Sequence, residues 1–183
     1  MDAAGVAAEF LSHLNADRWM AAAAMVEPAQ RTEFRADALT LLLALATNPG
    51  PVLAIAPDKP PPLPPLTPER MAEHAGTLVP LYVQQPTFGY LAQLDPTAFL
   101  AYHWSDVIGH DRNRGRGICQ ERREVTGSGE AHGGMVAVPY AVIPPPAMGR
   151  GRRPAPEVLY LRPVGEHWHV ELNAELSSWR FLR

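Results

Sequence analysis

The chain has one cysteine, one lysine and no apolar run approaching the ~20 residues that span a bilayer. A lone Cys119 excludes an internal disulfide framework and suits a reducing compartment. The start, Met1-Asp2-Ala3-Ala4-Gly5, lacks the positive charge and apolar core of a signal peptide, so a cytoplasmic location and no membrane partner are expected. Missing too are a nucleophile-elbow serine, a phosphate-binding glycine loop and any base beside Cys119 in the sequence. What remains is 183 residues of ordinary globular composition, 46% apolar and 19% charged, which suits one domain over 1–183 around a single core.

Charge is divided unevenly. Residues 1–111 carry twelve acids and five bases, net −7, and residues 112–183 carry seven acids and eleven arginines, net +4, together the −3 of the whole chain. Such asymmetry can mark a nucleic-acid face. Here the arginines gather at Arg112-Asn113-Arg114-Gly115-Arg116 and Arg150-Gly151-Arg152-Arg153, with no aromatic residue between them for stacking, so solvated loops are the reading and no nucleic-acid partner is expected.

The first 110 residues read mostly as helices. Val6, Phe10 and Leu14 share a helical stripe behind Asp2, and Asn15 offers a break. An Ala-rich helix from Arg18 to Val26 stops at Glu27-Pro28. A third runs from about Gln30 to Thr47 on a stripe of Phe34, Ala38, Leu41, Leu42 and Leu45. Between 48 and 68 stand nine prolines, which exclude a helix and leave a proline-rich insertion with a polyproline-like run at Pro60–Pro65. That run reads as a stiff surface loop, and SH3-type or WW-type partner binding is the functional alternative. Thr67-Pro68-Glu69-Arg70 opens a short helix ending near His74, and Gln84–Leu94 reads as an interrupted one. Asp95-Pro96 opens a helix carrying Phe99, Leu100, His103, Trp104, Val107 and Ile108, with Gly109 expected as its C-cap.

Strands follow. Ile118–Val125, a turn at Thr126–Gly129, Met135–Ile143 with Val136, Val138, Tyr140 and Val142 on one face, then Glu157–Arg162 and His167–Asn173 across Pro163–Glu166 make an antiparallel meander. Pro139 is expected to sit at a bulge or near an edge. The last strand alternates: Trp168, Val170 and Leu172 belong to the core, and His167, His169 and Glu171 face away. The Trp179–Leu182 tail is too apolar for free chain and is expected to pack on the domain or a partner subunit. Helices first and an antiparallel sheet last make the fold class α+β.

The opening Phe10–Trp19, the strand and glycine turn at Glu124–His132 and the Trp-bearing final strand resemble the nuclear transport factor 2-like, or SnoaL-like, superfamily. The resemblance implies a strongly curved antiparallel sheet wrapped against the helices, a cone with an apolar pocket. It also implies a family that mixes isomerases, dehydratases, epoxide hydrolases and cyclases with non-catalytic binding and dimerisation domains, so fold does not select function. A ketosteroid-isomerase-like carboxylate and oxyanion donor, or an epoxide-hydrolase-like Asp-Arg-Asp set, cannot be matched residue by residue. Non-catalytic binding of a small apolar molecule, or a homodimeric interaction module, is therefore expected. A cofactor-independent isomerase, dehydratase or cyclase is the alternative.

Candidate chemistry centres on the helix before the sheet. His103, Asp106 and His110 lie on adjacent turns, which could hold a divalent ion; with Gly109 ending the helix, a polar helix margin is the reading, and neither metal nor cofactor is expected. Asp106 with Tyr102 or His103 is the nominated acid–base group if that helix lines the cone, and Tyr140 or Tyr160 could donate from the strands. Trp104, Tyr140, Tyr160 and Trp168 are the expected ligand-lining residues.

Overall fold

The structure of the chain is a computed structural model that describes residues 1–47, 63–79, 81, 84–113, 122–143 and 155–172, with the side chains of 108–113 and 155 left aside. The Ile118–Glu121 start of the first strand, most of the proline-rich insertion, Arg114–Arg116 and Arg150–Arg153 of the arginine-rich stretches, and the Trp179–Leu182 tail lie outside the described residues. Helices precede a strongly curled antiparallel half-barrel sheet, so the fold is α+β.

Asp2 caps α1 (Ala3–Asn15) by accepting the Gly5 N–H at 2.8 Å. Asp17, at φ 56°, turns the chain into α2 (Trp19–Ala24), and Pro28 opens α3 (Pro28–Thr47). The buried face of α3 is Phe34, Ala38, Leu39, Leu42, Leu43 and Leu45. Leu41 stands half-buried at its margin, so the stripe is broader and rotated relative to the one its spacing predicts. After Thr67, whose side chain caps it, comes α4 (Pro68–Glu73).

Residues 84–87 then depart from the helix predicted over Gln84–Leu94. The Val79 N–H donates to the Pro86 carbonyl, Leu81 N–H to Gln84 and Phe88 N–H to Thr77, an antiparallel arm that consumes the groups a helix would need. The helix is confined to α5 (Phe88–Gln93), capped by Thr87. Next, α6 (Pro96–Asn113) runs through Gly109 rather than stopping there.

The strands are β1 (Arg122–Val125), β2 (Glu130–His132), β3 (Met135–Ile143), β4 (Ala155–Val164) and β5 (His167–Val170). Their order is β1-β3-β4-β5, with β2 also on β3. The predicted turn at Thr126–Gly129 is not a hairpin. Because β1 pairs with Tyr140–Ile143 and β2 with Met135–Ala137, both lie in succession along one side of β3, and 126–129 bulges out between them. Gly129 is required there: a Cβ would stand 2.3 Å from Val136 Cγ1. The hairpin proper is Gly133-Gly134, at φ 55° and 81°, the pair of positive angles a I′ turn needs. Pro139 sits opposite the bulge, where one neighbour ends and the other begins, so its missing N–H breaks no ladder pair.

Register separates the two faces of the sheet. Val136, Val138 and Tyr140 stand beside Leu161, Leu159 and Glu157, with Val142 on the same side of β3 and Leu161 beside Val170, forming the inner face. Across it lies α1, with Phe10, Leu11 and Leu14 buried, while α6 packs on α2 and α3. Trp104 reaches the same core from α6 and meets Phe10 edge-on at 5.9 Å.

At one flank of the sheet, the Asn15 amide donates to the Arg123 carbonyl at 2.8 Å and accepts the Arg123 N–H at 2.9 Å. At the other, Val170 N–H donates to Met25, and Glu27 N–H donates to Val170, a parallel bridge from the α2–α3 link.

Candidate functional site

The predicted acid–base residues do come together, but away from the sheet. His103 and Asp106 are 4% and 2% exposed, and Tyr102 is half-buried beside them on α6. His103 meets Phe34 of α3 with ring centroids 5.3 Å apart. Asp106 Oδ1 accepts the Gln84 N–H at 3.0 Å, and the Tyr102 hydroxyl donates to Gln84 Oε1. Gln84 thus ties the arm of Val79, Leu81 and Gln84–Thr87 to α6 by main chain and side chain at once. Tyr90 meets the Tyr102 ring edge-on at 5.6 Å.

Burial pushes the Tyr102 hydroxyl above the usual tyrosine range, with Tyr90 and the Asp106 carboxylate adding to the shift. A phenol beside a buried carboxylate suits proton transfer in principle. Among the helices, α1 makes the main packing against the inner face. The helix before the sheet, α6, packs on α2 and α3 and reaches the core it shares with the inner face through Trp104, and Asp106 fastens the arm through Gln84. His110 has no described side chain, and no group of three His, Cys, Asp or Glu among the described residues is placed to hold a metal ion.

The four aromatic residues predicted to line a pocket divide between the two faces. Trp104 and Tyr140 are 1% and 2% exposed in the core, and Trp168 packs at the core margin from beside Pro163. Tyr160 stands beside Ala137, on the opposite face. It meets His132 with ring centroids 5.7 Å apart. Alternation along the strands contains this split, but only register assigns it, since each strand's inward set depends on its neighbour.

No family model, curated protein or solved structure matches this chain.

Two features escaped sequence reasoning. Glu157 is the cross-strand neighbour of Tyr140, a half-buried carboxylate on the inner face. Glu171, expected to face away from the core, is 8% exposed. Its carboxylate accepts Arg162 Nε at 3.0 Å and Arg162 Nη2 on Oε1, and Gln30 Nε2 on Oε2. Gln30 Oε1 in turn accepts the Leu172 N–H at 2.8 Å. Glu171 does face away from the core, as alternation requires, but α3 covers it there. Hydrogen bonding to Glu171 holds the Arg162 guanidinium firmly charged. Beside Arg162 on the next strand, His169 Nδ1 is enclosed without a hydrogen-bond partner among the described residues.

The rest of this outer face is open. Met135, Ala137, Val158, Tyr160 and Val164 stand among His132, Arg162 and Glu130, with Val158 and Val164 39% and 40% exposed. Among the described residues, no helix is long and apolar enough to cross a membrane.

Proposed function

We propose that this chain is a non-catalytic domain of the nuclear transport factor 2-like kind, a cytoplasmic interaction module that pairs with a second copy through its outer sheet face. The carrying observation is that face itself, an apolar strip on β3 and β4 with β2 and β5 at its flanks. Charge favours a second copy as occupant. Glu130 lies on the β2 flank, and Arg162 lies one residue row away toward β5. A two-fold axis parallel to the strands would set the Glu130 flank of each copy against the Arg162 flank of the other, as an isologous contact requires. Sedimentation equilibrium of the purified chain tests this. A dimer that Val158→Asp weakens at least about tenfold, with the circular dichroism spectrum kept, is expected. A monomer at micromolar concentration sinks the reading.

A second reading is favoured by the Tyr140–Glu157 pair: a small apolar molecule held, or isomerised without a cofactor, against the inner face. Native mass spectrometry should then find a bound small molecule that Glu157→Gln loses. A ligand-free spectrum from gently purified protein speaks against it.

A further inference from the structure

We infer that acid separates the two copies, because the outer sheet face carries histidines that gain charge against one another where the copies meet. The inference rests on the pairing through that face and adds what controls it. His132 stands on β2, and His167 and His169 stand on β5. Two of them end one row across the sheet: His132 lies beside Met135, Arg162 Nη2 is 3.9 Å from Met135 Sδ, and Arg162 lies beside His169. A two-fold axis parallel to the strands keeps that row at its level and reverses its order. His132 of one copy therefore meets His169 of the other, and the contact occurs twice in the pair.

The charged neighbours decide the sign. Glu171 of β5 is engaged by Arg162 and by Gln30 of α3, and Glu27 of the α2–α3 link also attracts Arg162. On β1, Glu124 pairs with Arg122 at 2.6 Å. Glu130, two residues from His132 on β2, is the acid that the pairing sets against Arg162 of the other copy. Tyr160 gives His132 a ring at 5.7 Å rather than a carboxylate, and His167 lies beside Val164, after Glu166 of the turn. Charging His132 and His169 thus adds cations to a row that already holds Arg162, with the acids around it engaged.

His169 carries a second cost. Its Nδ1 is enclosed without a hydrogen-bond partner among the described residues, and the side chain as a whole is half-buried. A charged ring has two N–H groups to satisfy. Its charge is offset by water at the open side of the face, which a second copy removes. Protons therefore bind the separated copies more tightly than the pair, so a fall in pH through the histidine range favours separation.

Sedimentation equilibrium of the full chain at about pH 8 and about pH 5.5, either side of that range, tests this. The dimer should dissociate at least about tenfold more readily at the lower pH, about threefold for each of the two contacts, with circular dichroism unchanged. His132→Gln, at an exposed ring, removes one member of each contact and should bring the change below about threefold. An unaltered chain that dimerises equally at both pH values overturns the inference and leaves the pairing standing. So does a tenfold change that persists in His132→Gln, or a loss of the dimer at both pH values in that variant, since a neutral side chain there should leave the copies paired. A monomer at both pH values in the unaltered chain overturns the pairing and the inference together.

Discussion

Asn15 pairs with Arg123 as one peptide group pairs with another: the side-chain amide donates to the Arg123 carbonyl and accepts its N–H. The contact joins residues 108 positions apart and fixes the end of α1 to β1. Asn15→Ala should cost about 2 kcal/mol, because it leaves two part-buried main-chain groups to find water. Urea denaturation checks this. A loss below about 0.5 kcal/mol would mean solvent already serves Arg123.

Glu171 should behave as a structural carboxylate. Glu171→Ala strands Arg162 and the Gln30 amide together. Arg162 is half-exposed and recovers much of its hydration, so about 2 kcal/mol is expected rather than the full cost of breaking a buried pair. Gln30→Ala should cost less, about 1 kcal/mol, and a double-mutant cycle should show the two changes coupled.

Alkaline pH should destabilise the chain through Tyr102. Its folded pKa is raised, so the folded state keeps a proton that the unfolded state gives up near pH 10. Stability contributed by the neutral hydroxyl is complete below that pH and is lost as pH rises through the folded value. Ultraviolet titration should show a tyrosine ionising above the usual range that Tyr102→Phe removes. In Tyr102→Phe, the part of the alkaline loss due to this group should vanish.

Asp106 should matter for the arm and not for turnover. Asp106→Asn keeps an acceptor for the Gln84 N–H and should change stability little, whereas Asp106→Ala should cost about 1–3 kcal/mol. Hydrogen exchange at Gln84 reads this directly. Unchanged exchange in the alanine variant would show that the arm does not depend on the carboxylate.

Local chemistry made most of the fold legible in the sequence. Proline at helix starts, Asp2 and Thr67 as caps, and alternation in the last strands each act within a few residues. What could not be read depends on distant partners. Gln84–Pro86 has helical neighbours, yet it pairs with Val79 and Leu81 to form an arm. Gly109 is compatible with either a cap or a continued helix, and in this chain the helix continues. The glycines at 127 and 129 looked like a hairpin because glycine marks a bulge as readily as a turn. The site residues followed the same rule. Spacing correctly grouped Tyr102, His103 and Asp106 on one helix, but spacing cannot say which helix lies across the sheet.

The bridge from Met25 and Glu27 to Val170, with the amides of Gln30 and Asn15, occupies main-chain groups at Val170, Leu172 and Arg123 that would otherwise be free to zip with another chain. Partially unfolded copies would therefore have to release α1 or the α2–α3 link before they could recruit strands into a fibril. Resistance to that kind of growth is set by how tightly a few helix-borne groups hold the sheet's margins, and not by the strands themselves.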